Sequence, residues 1–432
     1  MNFSARLWIL AALWGFWLSP PSPAQSPPQA LTLEDCIRLA ESAPSPVRLA
    51  KQQSEIANLG LKQTQAAFLP KAQFGSGFTY NSPLKGSSPT QSFVALNGVR
   101  EYLFLLGTTQ ELDLSGRLRA DKERARAEFD VAQAGETITK RDLKRSVTAA
   151  YYRLLLARHV ARALRDSAAE AESFEKRTQL LLESGEASQA DLAKASAAAA
   201  ALRHALSEAE LDARLANQEL ASFWTTAVND PLCVADVFET APGAGEAGAT
   251  AGGARPFASR PEFGLLAARK RSFVAESRRI RAELLPQANV NFQYGLDSNF
   301  VRGRDHGYAV FVSLNVPVFD WFRTLNASRE FRVRAEQTET QRAMAERAFS
   351  REYEAAQARV ENALEQISRA ARHVKLAEQD LHLSRIRFEG GEGPALDAVA
   401  AQNQLAQARV NYFTAIAGYW NARTDREVAA GR

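Results

Sequence analysis

The sequence predicts a mainly α-helical protein with a small β part, built twice from one unit: a strand pair leading into a long α-helical hairpin. Three observations carry this. The chain of 432 residues matches itself, at an offset of 206 from the long helix to the tip and of 216 further upstream. It holds stretches of about ten residues in which apolar and polar side chains alternate, the period of a strand. It also holds helical runs of roughly 67 residues, each ~100 Å long at 1.5 Å per residue.

The chain opens with an address. Arg6 precedes an apolar run over 7–18, and "SPPSPAQS" follows it. Ser22 and Ala24 suit the small-x-small rule for signal cleavage, so 1–24 reads as a signal peptide and the protein as exported. Read instead as an inner-membrane anchor, the run is too short, because a spanning helix needs ~20 apolar residues. No later run approaches that length. The 53 basic and 49 acidic residues are finely mixed and give a net charge of +4. No basic block of the kind that grips nucleic acid is present, so no nucleic-acid partner is expected.

The repeat fixes the architecture. "LLLESGEASQADLA" (180–193) aligns with "RIRFEGGEGPALDAV" (385–399): Gly185-Glu186 falls on Gly391-Glu392, and Asp191 on Asp397. Arg117 and Arg323 share the same offset. Further upstream, "AAFLPKAQFGSGFTYN" resembles "AELLPQANVNFQYGLDSN". The first repeat, 25–240, is expected to contain a helix over 33–68, strands over 71–81 and 101–113, a long helix over 116–183, a tip over 184–188 and a returning helix over 188–224. A Gly/Ala-rich linker, 241–256, leads to the second repeat, 257–432. That repeat has a helix over 261–285, strands over 287–297 and 306–316, a long helix over 322–389, a tip over 390–394 and a returning helix over 394–425.

The strands alternate. Ala288, Val290, Phe292 and Tyr294 interleave with Gln287, Asn289, Asn291 and Gln293, and Phe74, Phe78 and Tyr80 face away from Gln73, Thr79 and Asn81. Tyr308, Val310, Val312 and Leu314 form a third apolar row, whereas "EYLFLLGTTQEL" alternates poorly. Such rows suit tilted strands crossing an outer membrane, or a half-buried soluble sheet. The long helices favour the former. Leu143, Val147, Ala150, Leu154, Ala157, Ala161, Leu164, Ala168 and Ala171 keep a 4-3 spacing, as do Leu192, Ala195, Ala199, Leu202 and Leu206 on the returning helix. These are coiled-coil seams, rich enough in alanine for axes to approach closely. Two short helices end to end match one long helix, which places Cys36 and Cys233 near a seam at mid-height. Two cysteines in an exported protein either pair or serve as small buried apolar residues. A disulfide at the seam is the expectation carried forward. Four strands cannot close a membrane barrel, which needs at least eight. Three chains supply twelve and leave a pore, so a homotrimer is the smallest conducting assembly.

Signal peptide, Leu-Pro-led strand pairs, duplicated helical hairpins and Gly-x5-Asp turns together resemble the outer-membrane efflux proteins, the TolC family. No single motif is specific; their order and duplication are. The resemblance implies a trimeric twelve-stranded barrel in the cell outer membrane, continued by an α-helical coiled-coil tunnel in the periplasm. It implies a passive exit duct for a tripartite efflux pump or type I secretion system, with outer membrane lipid, a periplasmic adaptor and an inner-membrane pump as partners. The adaptor-docking tips would be Gly185, Glu186, Ala187 and Ser188 with Gly391, Glu392, Gly393 and Pro394. Asp191, Arg387, Phe388 and Asp397 would form the entrance constriction. Gly393 and Ala400 stand where the best-known members carry gating Arg and Asp side chains, which leaves Asp397 as the main polar group. The plainer account of the tips is helix capping: left-handed glycines, a Ser188-x-x-Asp191 capping box and Pro394 in a first helical turn.

Catalysis finds no support. The histidines at 159, 204, 306, 373 and 382 make no metal-ligand spacing with a cysteine, and no nucleophile elbow, phosphate loop or dinucleotide fingerprint occurs. No enzyme activity, metal or cofactor is expected. The competing reading is a non-conducting periplasmic coiled-coil scaffold or adhesin, which has no use for duplicated amphipathic strands.

Overall fold

The computed structural model describes residues 30–82, 99–238, 255–302, 304 and 306–432. The expected signal peptide and residues 241–254 of the expected linker lie outside them. The elements run α1 (Leu33–Ser42), α2 (Pro46–Ala66), β1 (Lys71–Tyr80), β2 (Arg100–Leu112), α3 (Arg117–Glu183), α4 (Gln189–Ala221), α5 (Pro261–Ala282), β3 (Gln287–Ser298), β4 (Gly307–Asn315), α6 (Arg323–Glu389) and α7 (Ala395–Ala429). A short 3-10 turn, Pro256–Ser259, precedes α5.

The single helix expected over 33–68 is two. Ala43, preceding Pro44, is extended at φ −70° and ψ 167°, because a proline's ring disfavours the helical conformation in the residue before it. Ser45 is also extended, and Pro46 then restarts the chain as the first residue of α2, where its missing N–H costs nothing. A capping box at Thr32 and Asp35 starts α1.

The two long helices, α3 and α6, are 67 residues each and carry the fold. α3 packs on α4 and also on α1, α2 and α5; α6 packs on α7 and α5. The lateral order is therefore α2, α3, α5, α6 toward the sheet. The alanine-rich seam becomes a buried row: Ala161, Leu164, Ala168 and Ala171 of α3 meet Ala199, Leu202 and Ala209 of α4, together with Ala406 of α7.

At mid-height the helices converge on the largest buried cluster. Val147, Tyr151 and Leu154 of α3 meet Cys36 of α1, Leu220 of α4, Val360 of α6, and Ile416 and Tyr419 of α7. The segment 231–238 closes it. Leu31 N–H donates to the Cys233 carbonyl at 2.7 Å and Ala235 N–H to the Leu31 carbonyl at 2.9 Å, while Tyr151 Oη donates to the Ala235 carbonyl at 2.5 Å. The expected Cys36–Cys233 disulfide is not formed. Both thiols are free, Cys36 buried and Cys233 exposed. Side chains alternate along an extended segment; Leu232 and Val234 pack toward the cluster, and Cys233 between them points away.

Among the described residues no helix is long and apolar enough to cross a membrane. The sheet is a four-stranded antiparallel array in the order β1-β2-β3-β4, so the two repeats join through β2 and β3.

Candidate functional site

Directly opposed residues of an antiparallel pair lie on one face, and the register therefore sorts both faces. Phe74 pairs with Leu106 and Phe78 with Tyr102. Leu106 continues to Tyr294, and Phe104 to Leu296. Tyr294 meets Tyr308, Phe292 meets Val310 and Val290 meets Val312. One face is thus an apolar band across all four strands, exposed at Phe74, Phe78, Leu106, Tyr294, Tyr308 and Val312. The opposite face carries Gln73, Thr79, Thr109, Glu111, Asn289, Asn291, Gln293 and Ser313, with a 2.6 Å hydrogen bond from Thr109 Oγ1 to Asn291 Oδ1. The outer edges of β1 and β4 have no neighbouring strand among the described residues. An unpaired edge is a template for another chain.

Where β4 turns into α6, Phe319, Trp321 and Phe322 are exposed, Trp321 by 83%. Trp321 and Phe322 have φ of 56° and 63°, a left-handed conformation that bulky residues rarely adopt. The amphipathic indole of a tryptophan such as Trp321 favours the boundary between water and membrane.

At the other end, the tips are built alike. Gly185 and Gly391 have φ of 83° and 71°. Glu186 N–H donates to the Leu181 carbonyl and Glu392 N–H to the Arg387 carbonyl, both at 2.8 Å. Gly185 and Gly391 donate to Leu182 and Phe388. This is the Schellman ending, which satisfies the last carbonyls of each long helix. Glu186, Ser188, Glu392 and Pro394 are exposed, and Ala187 and Gly393 are half-buried.

The returning helices start differently. Ser188 caps α4 in a capping box: its hydroxyl accepts from Asp191 N–H at 3.1 Å, and its N–H donates to Asp191 Oδ2 at 3.2 Å. The Ser188 hydroxyl beside Asp191 holds that carboxyl below the usual carboxylate range; Ser188 N–H, Lys194 and Ala395 N–H of the second tip add to this, against burial. Pro394 is the N-cap of α7 rather than a residue of its first turn, and supplies no side-chain cap. Having no N–H, it cannot bond the carboxylate three residues on. Asp397 is exposed, and its carboxylate has no hydrogen-bond or ion-pair partner among the described residues.

Phe388 does not line an entrance in this protomer. It is 8% exposed and packs against Phe174, ring centroids 5.2 Å apart, in a cluster with Ala195, Ala395, Ala398 and Val399. Arg387 keeps an exposed position, its side chain lying against Gly393, where an added Cβ would meet it at 3.4 Å. The structure thus brings the two tips of one chain together and adds Phe174, Ala395 and an Arg177–Glu389 ion pair at 3.0 Å. Phe174 was missed because two successive steps of three, Ala168 to Ala171 and Ala171 to Phe174, break the 4-3 seam before it resumes at Thr178 and Leu181. Among the described residues no group of three or more His, Cys, Asp or Glu is placed to hold a metal ion.

Comparison with known proteins places this arrangement. No curated protein sequence matches at a significant level. The outer membrane channel CmeC of Campylobacter jejuni superposes with a TM-score of 0.81 at 17% identity, over 92% of this chain and 85% of that one. VceC of Vibrio cholerae, an outer membrane protein, gives 0.80 at 16%, over 92% and 96%. The open state of the MtrE outer membrane channel of Neisseria gonorrhoeae gives 0.78 at 18%, over 92% and 88%. At these identities the likeness concerns the fold. The outer membrane efflux protein family model matches residues 39–226 and 257–425, one segment in each repeat. The chain belongs to the outer membrane efflux protein family.

Proposed function

We propose that three copies of this chain form a passive exit duct. Their twelve strands close a barrel in the outer membrane, and their helices continue it as a tunnel into the periplasm. The observation that carries this is the sheet: one apolar face, one polar face and two open edges on a single four-stranded unit. Joining β4 of one copy to β1 of the next removes every edge, turns the apolar band to lipid and leaves the polar face around a pore. The exported destination, the exposed aromatics at the strand–helix junction and the channels with the same fold support the reading. No catalytic step is assigned to it.

The paired tips, at the far end of ~100 Å of helix, are the surface on which a periplasmic adaptor would dock and bring an inner-membrane pump. Their exposed Glu186 and Glu392 and the free carboxylate of Asp397 support that role. The test is assembly and conduction. The purified protein should run as a detergent-stable trimer and pass ions across planar bilayers. A monodisperse monomer in water without detergent would refute the channel and leave the scaffold or adhesin reading.

A further inference from the structure

The wall formed by α3 and α5 just below the sheet has two differently charged faces. Arg117, at the start of α3, makes a forked ion pair with Glu111 at 2.6–3.0 Å, and Glu111 lies on the polar strand face. At 100° per residue, Asp121, Arg124 and Glu128 project on the same side as Arg117. There the charges are matched: Arg124 meets Asp121, Glu128 and Glu276, and Arg279 meets Glu276 and Glu283.

Arg119, Lys122 and Arg126 project on the opposite side, that of the apolar band. With Lys270, Arg271 and Arg278 of α5 they line an open groove of ≈ 610 Å³, floored by Ala127, Val274 and Ala275. Only Glu123 and Asp130 oppose these six cations within the groove. Both are already committed, Glu123 to Arg278 at 3.1 Å and Asp130 to Arg271 at 3.0 Å, with Arg126 sharing Asp130 at 3.5 Å. Asp113 and Glu339 at the margins pair with Arg119 and Lys270, which still leaves two cations in excess. Lys122 has no acidic partner among the described residues.

Height decides the ligand. Lys122 lies ~8 Å and Arg126 ~14 Å along α3 from its start. Arg119, two residues into α3, and Arg278, four from the end of α5, put the mouth of the groove within ~6 Å of the strand–helix junction. That is about the thickness of a headgroup layer. It lies between two helices of one protomer, so closing the sheet edges does not cover it.

We propose that this groove binds the headgroup phosphate of an anionic phospholipid in the periplasmic leaflet, with the lipid's chains rising along the apolar band. The inference rests on the barrel reading above. The test is native mass spectrometry of the detergent-purified assembled channel, titrated with phosphatidylglycerol or phosphatidylcholine. Phosphatidylglycerol should bind preferentially. Lys122→Gln with Arg126→Gln should weaken it by about 30-fold, at the usual contribution of two surface cations. Arg124→Gln, on the same helix but the matched face, should not. Trimers that conduct yet show no preference between the lipids overturn the lipid site and spare the channel. Loss of trimers and conductance in the wild type overturns both. Equal binding of inorganic phosphate alone would make it a plain anion site and overturn the lipid assignment.

Discussion

Leu106 offers the sharpest test of which strand face meets lipid. It is the seventh of the 13 residues of β2, the middle of a strand that would span the bilayer, and it lies between Phe74 and Tyr294 on the apolar band. An arginine at the midplane of a lipid-facing strand costs roughly 2–4 kcal/mol, and three copies per barrel therefore roughly 6–12. That is comparable with the whole stability of an ordinary domain. The adjacent Leu105 is on the polar face, paired with Gly75 and Gly295, so an arginine there has room and water. Leu106→Arg should fail to assemble in the outer membrane, whereas Leu105→Arg should assemble and shift ion selectivity toward anions. Membrane fractionation, semi-native gels and planar-bilayer reversal potentials read the three outcomes. Normal insertion of Leu106→Arg, or a block by Leu105→Arg alone, would falsify the assignment of faces.

Other outcomes follow from the tips and the mid-height cluster. Glu186→Lys and Glu392→Lys are surface changes within ±0.5 kcal/mol of neutral for folding; if the tips dock an adaptor, they should lower adaptor recovery in pull-downs while trimers persist, and undiminished recovery would count against docking there. Burial pushes the Cys36 thiol up to about 11 from 9.0, with Asp35 adding to it. The thiolate is disfavoured in the folded state, so this contribution to stability is complete below pH 9 and lost as pH rises toward 11. Maleimide at pH 7.5 should therefore label Cys233 fast and Cys36 only on unfolding; equal labelling would contradict the packing. Asp397→Ala should raise single-channel conductance and admit large antibiotics if Asp397 holds the entrance through a neighbouring copy, whereas unchanged conductance with normal trimers would place the gate elsewhere.

Most of the architecture was legible because it is periodic. An offset of 206 residues, a 4-3 seam and a period of two are properties of the chain itself, and each forces a local geometry. What escaped depends on partners that no local pattern specifies. β2 alternates poorly because Leu103 and Leu105 occupy the polar face; both sit against glycines, Gly77 for the first, Gly75 and Gly295 for the second, and only the register shows it. The break between α1 and α2 was written in Pro44 and Pro46, yet one proline at the start of a helix is innocuous, and the pair had to be weighed together. Phe388 reads in the sequence as an entrance residue, but its burial is decided by Phe174 on the other hairpin. Cys36 and Cys233 come close in height and still face apart, because alternation in 231–238 turns one of them outward.

The duplicated aspartates show where a repeat stops being a guide. Asp191 and Asp397 hold equivalent places, three residues beyond an N-cap, and the sequence treats them as one site. The residue at the cap separates them. Ser188 has a hydroxyl and an N–H, and Asp191 takes both; Pro394 has neither, and among the described residues the Asp397 carboxylate has no partner. An exposed carboxylate at a helix N-terminus is modestly stabilised by the dipole without any partner, so the protomer does not require Asp397 to be paired. Its charge remains available to a cation on a neighbouring copy, in a way that Asp191's is not. The tips are therefore asymmetric within each chain: the first is locked by its own cap, and the second starts on a proline that gives its aspartate no cap bond.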